Sequence, residues 1–175
     1  MTETAEHACR VVINAPIEKV WNVLTTQNKI LPHFFGSVMH TSNGLQAGSM
    51  MHMRSPDGKY TAVIGEILEC DPPHRFSHTF RFTNLNDPEC KVTFDLKEVE
   101  GGVELTLLSE QLPVGTKTAK QMIQGSAFIT DVLKSVCETG RPSMGKRVLL
   151  RIIGMMAFMT PKACRAENWP LGTSA

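Results

Sequence analysis

Val11-Val12-Ile13-Asn14-Ala15-Pro16-Ile17-Glu18-Lys19-Val20-Trp21-Asn22-Val23-Leu24-Thr25 hands a strand directly to a helix. Cys9, Val11 and Ile13 alternate with Arg10, Val12 and Asn14, the period of a half-buried strand. Pro16 has no N–H to leave unpaired and a φ already close to helical, so it suits the first helical turn. Ile17, Val20, Trp21 and Leu24 then recur at helical spacing and make one apolar face.

Downstream, Asn28–Phe35 reads as a second short helical segment stopped by Gly36. Turn chemistry at Ser42-Asn43-Gly44, Ser55-Pro56-Asp57-Gly58, Asp71-Pro72-Pro73 and Glu100-Gly101-Gly102 cuts the next stretch into strands. The expected strands are Val38–Thr41, Ser49–Arg54, Tyr60–Glu69, Arg75–Phe82, Lys91–Val99 and Val103–Ser109. Phe76, His78, Phe80 and Phe82 share one side of their strand; Val92, Phe94 and Leu96 do the same, as do Val103, Leu105 and Leu107. One apolar face and one polar face mean an antiparallel sheet covered on a single side. The cover is a long helix from about Thr116 to Cys137, with Ala119, Met122, Ile123, Ser126, Ile129, Leu133, Val136 and Cys137 on one stripe and Gly140 as its stop.

This order resembles the START-like, or SRPBCC, superfamily, and within it the family of activators of the heat-shock-protein-90 ATPase. The resemblance is carried by Ala15-Pro16-Ile17-Glu18-Lys19-Val20-Trp21, Pro56-Asp57-Gly58-Lys59-Tyr60, Gly65-Glu66-Ile67-Leu68-Glu69-Cys70-Asp71-Pro72-Pro73-His74-Arg75-Phe76 and Val92-Thr93-Phe94-Asp95-Leu96. It implies an α+β helix-grip fold, in which a curved antiparallel sheet of six or seven strands wraps a long helix. Residues 1–140 form that domain, and 141–175 form an apolar helical extension packed on it or on a partner. Full-length activators carry a further N-terminal domain, for which 175 residues leave no room. Family members commonly have Gly-Trp on the last helix, where this chain has Gly125-Ser126.

A helix laid across a curved sheet leaves a trough, and such hollows are mostly apolar with a few orienting polar groups. The expected function is therefore binding of a small hydrophobic molecule: a lipid, polyketide or aromatic metabolite. The expected lining is His78, Phe80 and Phe94 from the sheet, Met122, Ser126, Ile129 and Thr130 from the long helix, and Trp21 from the first. His78 reads either as a ligand contact or as a core histidine bonded to a backbone carbonyl. A second functional reading is an enzyme of the same fold, a cyclase, dehydratase or hydrolase, using His78 with a nearby carboxylate. His40, His52 and His78 all fall in strands, but their spacing gives no metal motif. Neither a P-loop, a dinucleotide fingerprint nor a nucleophile elbow occurs, and no cofactor is expected.

A formal net charge of +1 provides no field for nucleic acid. Five scattered cysteines without a CxxC pair, behind a start lacking an apolar leader, suit free thiols in a reducing cytoplasm. The extension Lys146–Met159 is apolar apart from Lys146, Arg147, Arg151 and Gly154, and too short to span a bilayer. It is expected to cover the pocket, to form a homodimer interface, or to meet a membrane surface or a chaperone through residues 146–159.

Overall fold

A computed structural model describes residues 3–172. Strand β1 (Thr4–Ile13) leads into α1 (Ile17–Thr25), whose Ile17, Val20, Trp21 and Leu24 are all buried. Pro16 sits one position earlier than the sequence suggested, as an extended N-cap whose carbonyl accepts from Lys19 N and Val20 N. The expected helix over Asn28–Phe35 is replaced by β2 (Ile30–Leu31) and a 3-10 turn (Pro32–Phe34). Pro32 explains the difference: its ring pushes Leu31 into extended backbone, and Asn28 and Phe35 take positive φ at either end.

A meander follows: β3 (Ser37–Thr41), β4 (Met50–Arg54), β5 (Thr61–Asp71), β6 (Arg75–Phe82), β7 (Cys90–Val99) and β8 (Gly102–Pro113). All pairings are antiparallel, in the order β1-β8-β7-β6-β5-β4-β3-β2. The sheet thus has eight strands rather than six or seven, because the short β2 adds an edge strand that the sequence did not show.

Helix α2 (Lys117–Thr139) lies across this sheet. Thr116 caps it by accepting from Ala119 N, and Gly140 ends it in the left-handed region with its N–H on Val136 O. At 23 residues it runs about 34 Å, which suits the width of a curled eight-stranded sheet. Ile123, expected on the buried stripe, is instead 45% exposed; Phe128 is buried off the stripe by stacking on Phe35. The core runs between α1, α2 and the sheet, with Phe76, Phe94, Ile67, Leu105 and Leu133 at its centre.

Helix α3 (Met144–Met155) and a 3-10 turn (Met156–Met159) bury no residue at all. Beyond them the chain is fastened to the body through buried Cys164, a bridge between Tyr60 and Arg165, and Ala166 N donating to Lys59 O.

One glycine shapes the sheet where it matters for the site. Pairing of β5 with β6 lapses between Ile64–Arg81 and Ile67–His78. There a Cβ on Gly65 would stand 2.0 Å from the Thr79 carbonyl oxygen, so only glycine lets that carbonyl sit where it does. Gly65→Ala should therefore destabilise the protein by about 3 kcal/mol in urea unfolding, at the upper end of overpacking costs. A loss below about 0.5 kcal/mol, typical of an unconstrained surface site, would show that β5 and β6 do not approach this closely.

Candidate functional site

Between α2 and the sheet lies a cavity of about 280 Å³. Its walls come from Phe34 and Phe35 beyond β2, Met53 on β4, Ala62 and Val63 on β5, His78, Phe80 and Phe82 on β6, Val92 and Phe94 on β7, and Leu107 and Ser109 on β8. Gln121, Met122, Gly125, Ser126 and Ile129 of α2 form the roof. Five of the chain's eight phenylalanines face this one space. No Asp, Glu, Lys or Arg side chain lines it among the described residues.

Strand register explains why its polar groups stand in a row. His78 pairs with Val92, Val92 with Ser109, and Ser109 with His7. Side chains at paired positions share a face, so this row crosses the sheet beneath Ser126 of α2. Ser126 donates to the Ile123 carbonyl at 2.8 Å, which leaves its oxygen to accept from His7 Nε2–H at 3.1 Å. Ser109 is 1% exposed and its hydroxyl has no partner among the described residues. A buried hydroxyl without a partner costs about 1–3 kcal/mol, a cost that a bound acceptor or donor would relieve.

His78 combines both of its sequence readings. Its Nδ1–H donates to the Thr79 carbonyl at 2.7 Å, the carbonyl that Gly65 admits, while the ring lines the cavity. That bond leaves Nε2 as an unprotonated acceptor. Burial lowers its pKa to about 4, offset only in part by the Thr79 bond, so the ring is neutral near pH 7. Two ladder steps separate it from Ser109, about 10 Å at the usual strand spacing.

Phe80, Phe94, Met122, Ser126 and Ile129 line the cavity together with His78. Thr130 and Trp21 do not. Thr130 turns toward β1, accepting from Cys9 Sγ–H at 3.3 Å and donating to the Ser126 carbonyl at 3.1 Å. Trp21 packs edge-on against Phe76, with ring centroids 6.5 Å apart, inside the solid core. Ser109, Gln121 and Gly125 were missed by sequence reasoning. Ser109 ends the expected strand Val103–Ser109, and its register with His78 through Val92 is the signal that places it in the site. His40 and His52 face each other across β3 and β4, but no set of three metal-ligating side chains assembles among the described residues. His78 has no carboxylate beside it in the cavity, so the acid–base pair imagined for it lacks its second member among the described residues. Among the described residues none lining the cavity lies beyond Ile129, so the described part of the extension does not cover it. No helix among the described residues is long and apolar enough to cross a membrane.

A curled antiparallel sheet gripping one long helix defines the START-like, SRPBCC class of α+β proteins. Residues 14–138 match the model of the family described as activator of Hsp90 ATPase homolog 1-like protein, and the chain belongs to that family. Among solved structures it is similar to the Aha1 dimer from Colwellia psychrerythraea, at 18% identity and TM-score 0.62, covering 78% of this chain and 98% of that one. It is also similar to CalU16 from Micromonospora echinospora, at 21% identity and TM-score 0.58, covering 90% of this chain and 96% of that one. DynU16, a protein in the dynemicin biosynthetic locus, gives 21% identity and TM-score 0.61 over 78% of this chain and 48% of that one. No curated protein sequence matches the chain.

His33 is fully buried and His78 nearly so, and burial lowers each to about 4. The unfolded chain takes up these protons first as pH falls from 6.5, so stability is complete above that value and declines toward pH 4. The loss reaches roughly 2–3 kcal/mol per histidine. His78→Gln should shrink the stability difference between about pH 7.5 and 4.5 by roughly 2 kcal/mol in urea unfolding. An unchanged difference would mean that His78 is not held neutral.

Proposed function

We propose that this protein binds a small, planar, mainly apolar molecule carrying a hydrogen-bond donor, between α2 and the sheet. The carrying observation is the pairing of an aromatic-walled cavity with an imidazole Nε2 acceptor and a buried hydroxyl that has no partner. Its volume of about 280 Å³ stands at the lower edge of small-molecule sites, which run from roughly 300 to 1,000 Å³. Phenylalanine walls favour aromatic or conjugated ligands, since offset and edge-on ring contacts add to simple burial. A neutral acceptor in an uncharged cavity favours a phenol-like or hydroxylated group over a carboxylate, whose desolvation no cation here would offset. The location of the similar DynU16 in a biosynthetic locus accords with an aromatic or polyketide-type metabolite.

Binding is favoured over catalysis because His78 is the cavity's one titratable side chain among the described residues. The reading is tested with a matched pair, 2-naphthol and naphthalene, titrated by fluorescence. 2-Naphthol should bind at least about fivefold more tightly, the worth of one hydrogen bond. His78→Phe, which keeps a ring but removes the acceptor, should erase that preference, and Val92→Phe, which fills the floor, should weaken both ligands. Equal affinities in the native protein, or a preference that survives in His78→Phe, would overturn the assignment.

A further inference from the structure

Helix α3 shows an unusual surface. Met144, Val148, Ile152 and Met155 follow one another at helical spacing and form a single outward stripe. Met144 and Met155 are each 75% exposed, and Phe158, just beyond, is 80% exposed. Large apolar side chains this open are seldom contiguous on a soluble surface without a partner.

The stripe is presented in a fixed direction. On the inner side, Lys146 pairs with Asp131 at 3.4 Å and lies over the Phe128 ring at 4.9 Å. At the far end, buried Cys164, the Tyr60–Arg165 bridge and Arg54 donating to the Trp169 carbonyl fasten the chain beside β4 and β5. Both ends of the segment are therefore tied down, and its apolar middle faces outward.

Charge identifies the partner. Residues 140–166 hold six of the chain's eighteen basic residues and none of its seventeen acidic ones, so the remainder is net acidic. Arg147 and Arg151 flank the stripe, and neither has a carboxylate partner among the described residues. A two-fold contact with a second copy would bury the same basic segment from both copies, with no acid within it to pair the arginines. A bilayer rich in anionic lipid satisfies both halves of the surface at once: headgroups take the guanidinium groups and the acyl boundary takes the methionines and Phe158.

We propose that residues 144–159 are a docking surface for an anionic lipid bilayer, on which α3 lies in the interfacial plane. This rests on the extension alone and is independent of what the cavity binds.

The test is co-sedimentation of the full chain with vesicles of phosphatidylcholine alone and of phosphatidylcholine mixed with phosphatidylglycerol. Binding should favour the mixed vesicles by roughly tenfold or more and weaken as salt is raised. R147E/R151E should abolish that preference, R147K/R151K should keep it, and F158S/M159S should weaken binding at constant charge. All these side chains are at least partly exposed, so circular dichroism should show the fold intact in each variant. Failure to bind the mixed vesicles, or equal binding to both kinds, would overturn the proposal. So would a native dimer that F158S/M159S separates in sedimentation velocity without any vesicle binding, because that assigns the face to a second copy.

Discussion

The structure depends on how α2 is fastened to one edge of its sheet. Four successive polar contacts join the helix to β1: His7 to Ser126, Cys9 to Thr130, Lys134 to the Val12 carbonyl, and Asn14 N–H to Glu138 at 2.8 Å. Their spacing is geometric. Four helical residues rise about 6 Å, and the two or three residues between successive contacts on β1 and the adjoining Asn14 span about 7–10 Å, so each turn of α2 finds its next partner further along the same edge. Each contact is modest alone, near 1 kcal/mol net, but together they set the helix's register and its height above that edge. Lys134 and Glu138 also pair with each other at 2.8 Å, holding the last two contacts as one unit.

A rod tied along one margin of a curled sheet must stand away from the opposite slope. Near its C-terminal half α1 fills the resulting space, with Trp21 against Phe76. Toward the N-terminal half no such filler exists, and the cavity lies there between Met122, Gly125 and Ser126 above and His78, Val92 and Ser109 below. The row that carries Ser109 and His78 ends in His7, so one line of residues both anchors the helix and furnishes the cavity's polar groups. Family members with a tryptophan at the Ser126 position would place an indole where this chain places a hydroxyl bonded to His7.

Much of this was legible in the sequence for specific reasons. Strict alternation in Arg75–Phe82 put Phe76, His78 and Phe80 on one face before any coordinates, and the long stripe ending at Gly140 marked α2. The segment around Pro32 fits a helical period through its apolar residues at 30, 31, 34 and 35, but the proline's effect on Leu31 makes it a two-residue strand followed by a 3-10 turn. Thr130 shares the inward half of α2 with Ser126, yet one turn further along it meets β1 rather than open space; that distinction is a matter of helix height, which periodicity does not encode. For the extension the sequence left several fates open: cover of the cavity, a dimer interface, or contact with a membrane surface or a chaperone. Its apolar content fits each of these, and among the described residues its attachments lie at its two ends, Lys146 to Asp131 and Phe128 at one and Cys164 with the Tyr60–Arg165 bridge at the other, leaving the middle outside.

The central claim is that the space beneath the N-terminal half of α2 is a hollow able to admit a guest. Xenon enters apolar cavities and scatters strongly, so a crystal of the protein pressurised with the gas gives the most direct reading. An ordered xenon atom among Phe80, Val92, Phe94 and Met122 is the expected result. A helix settled onto the sheet, with Met122 and Ile129 in contact with Val92 and Phe94 and no xenon between them, would contradict the account.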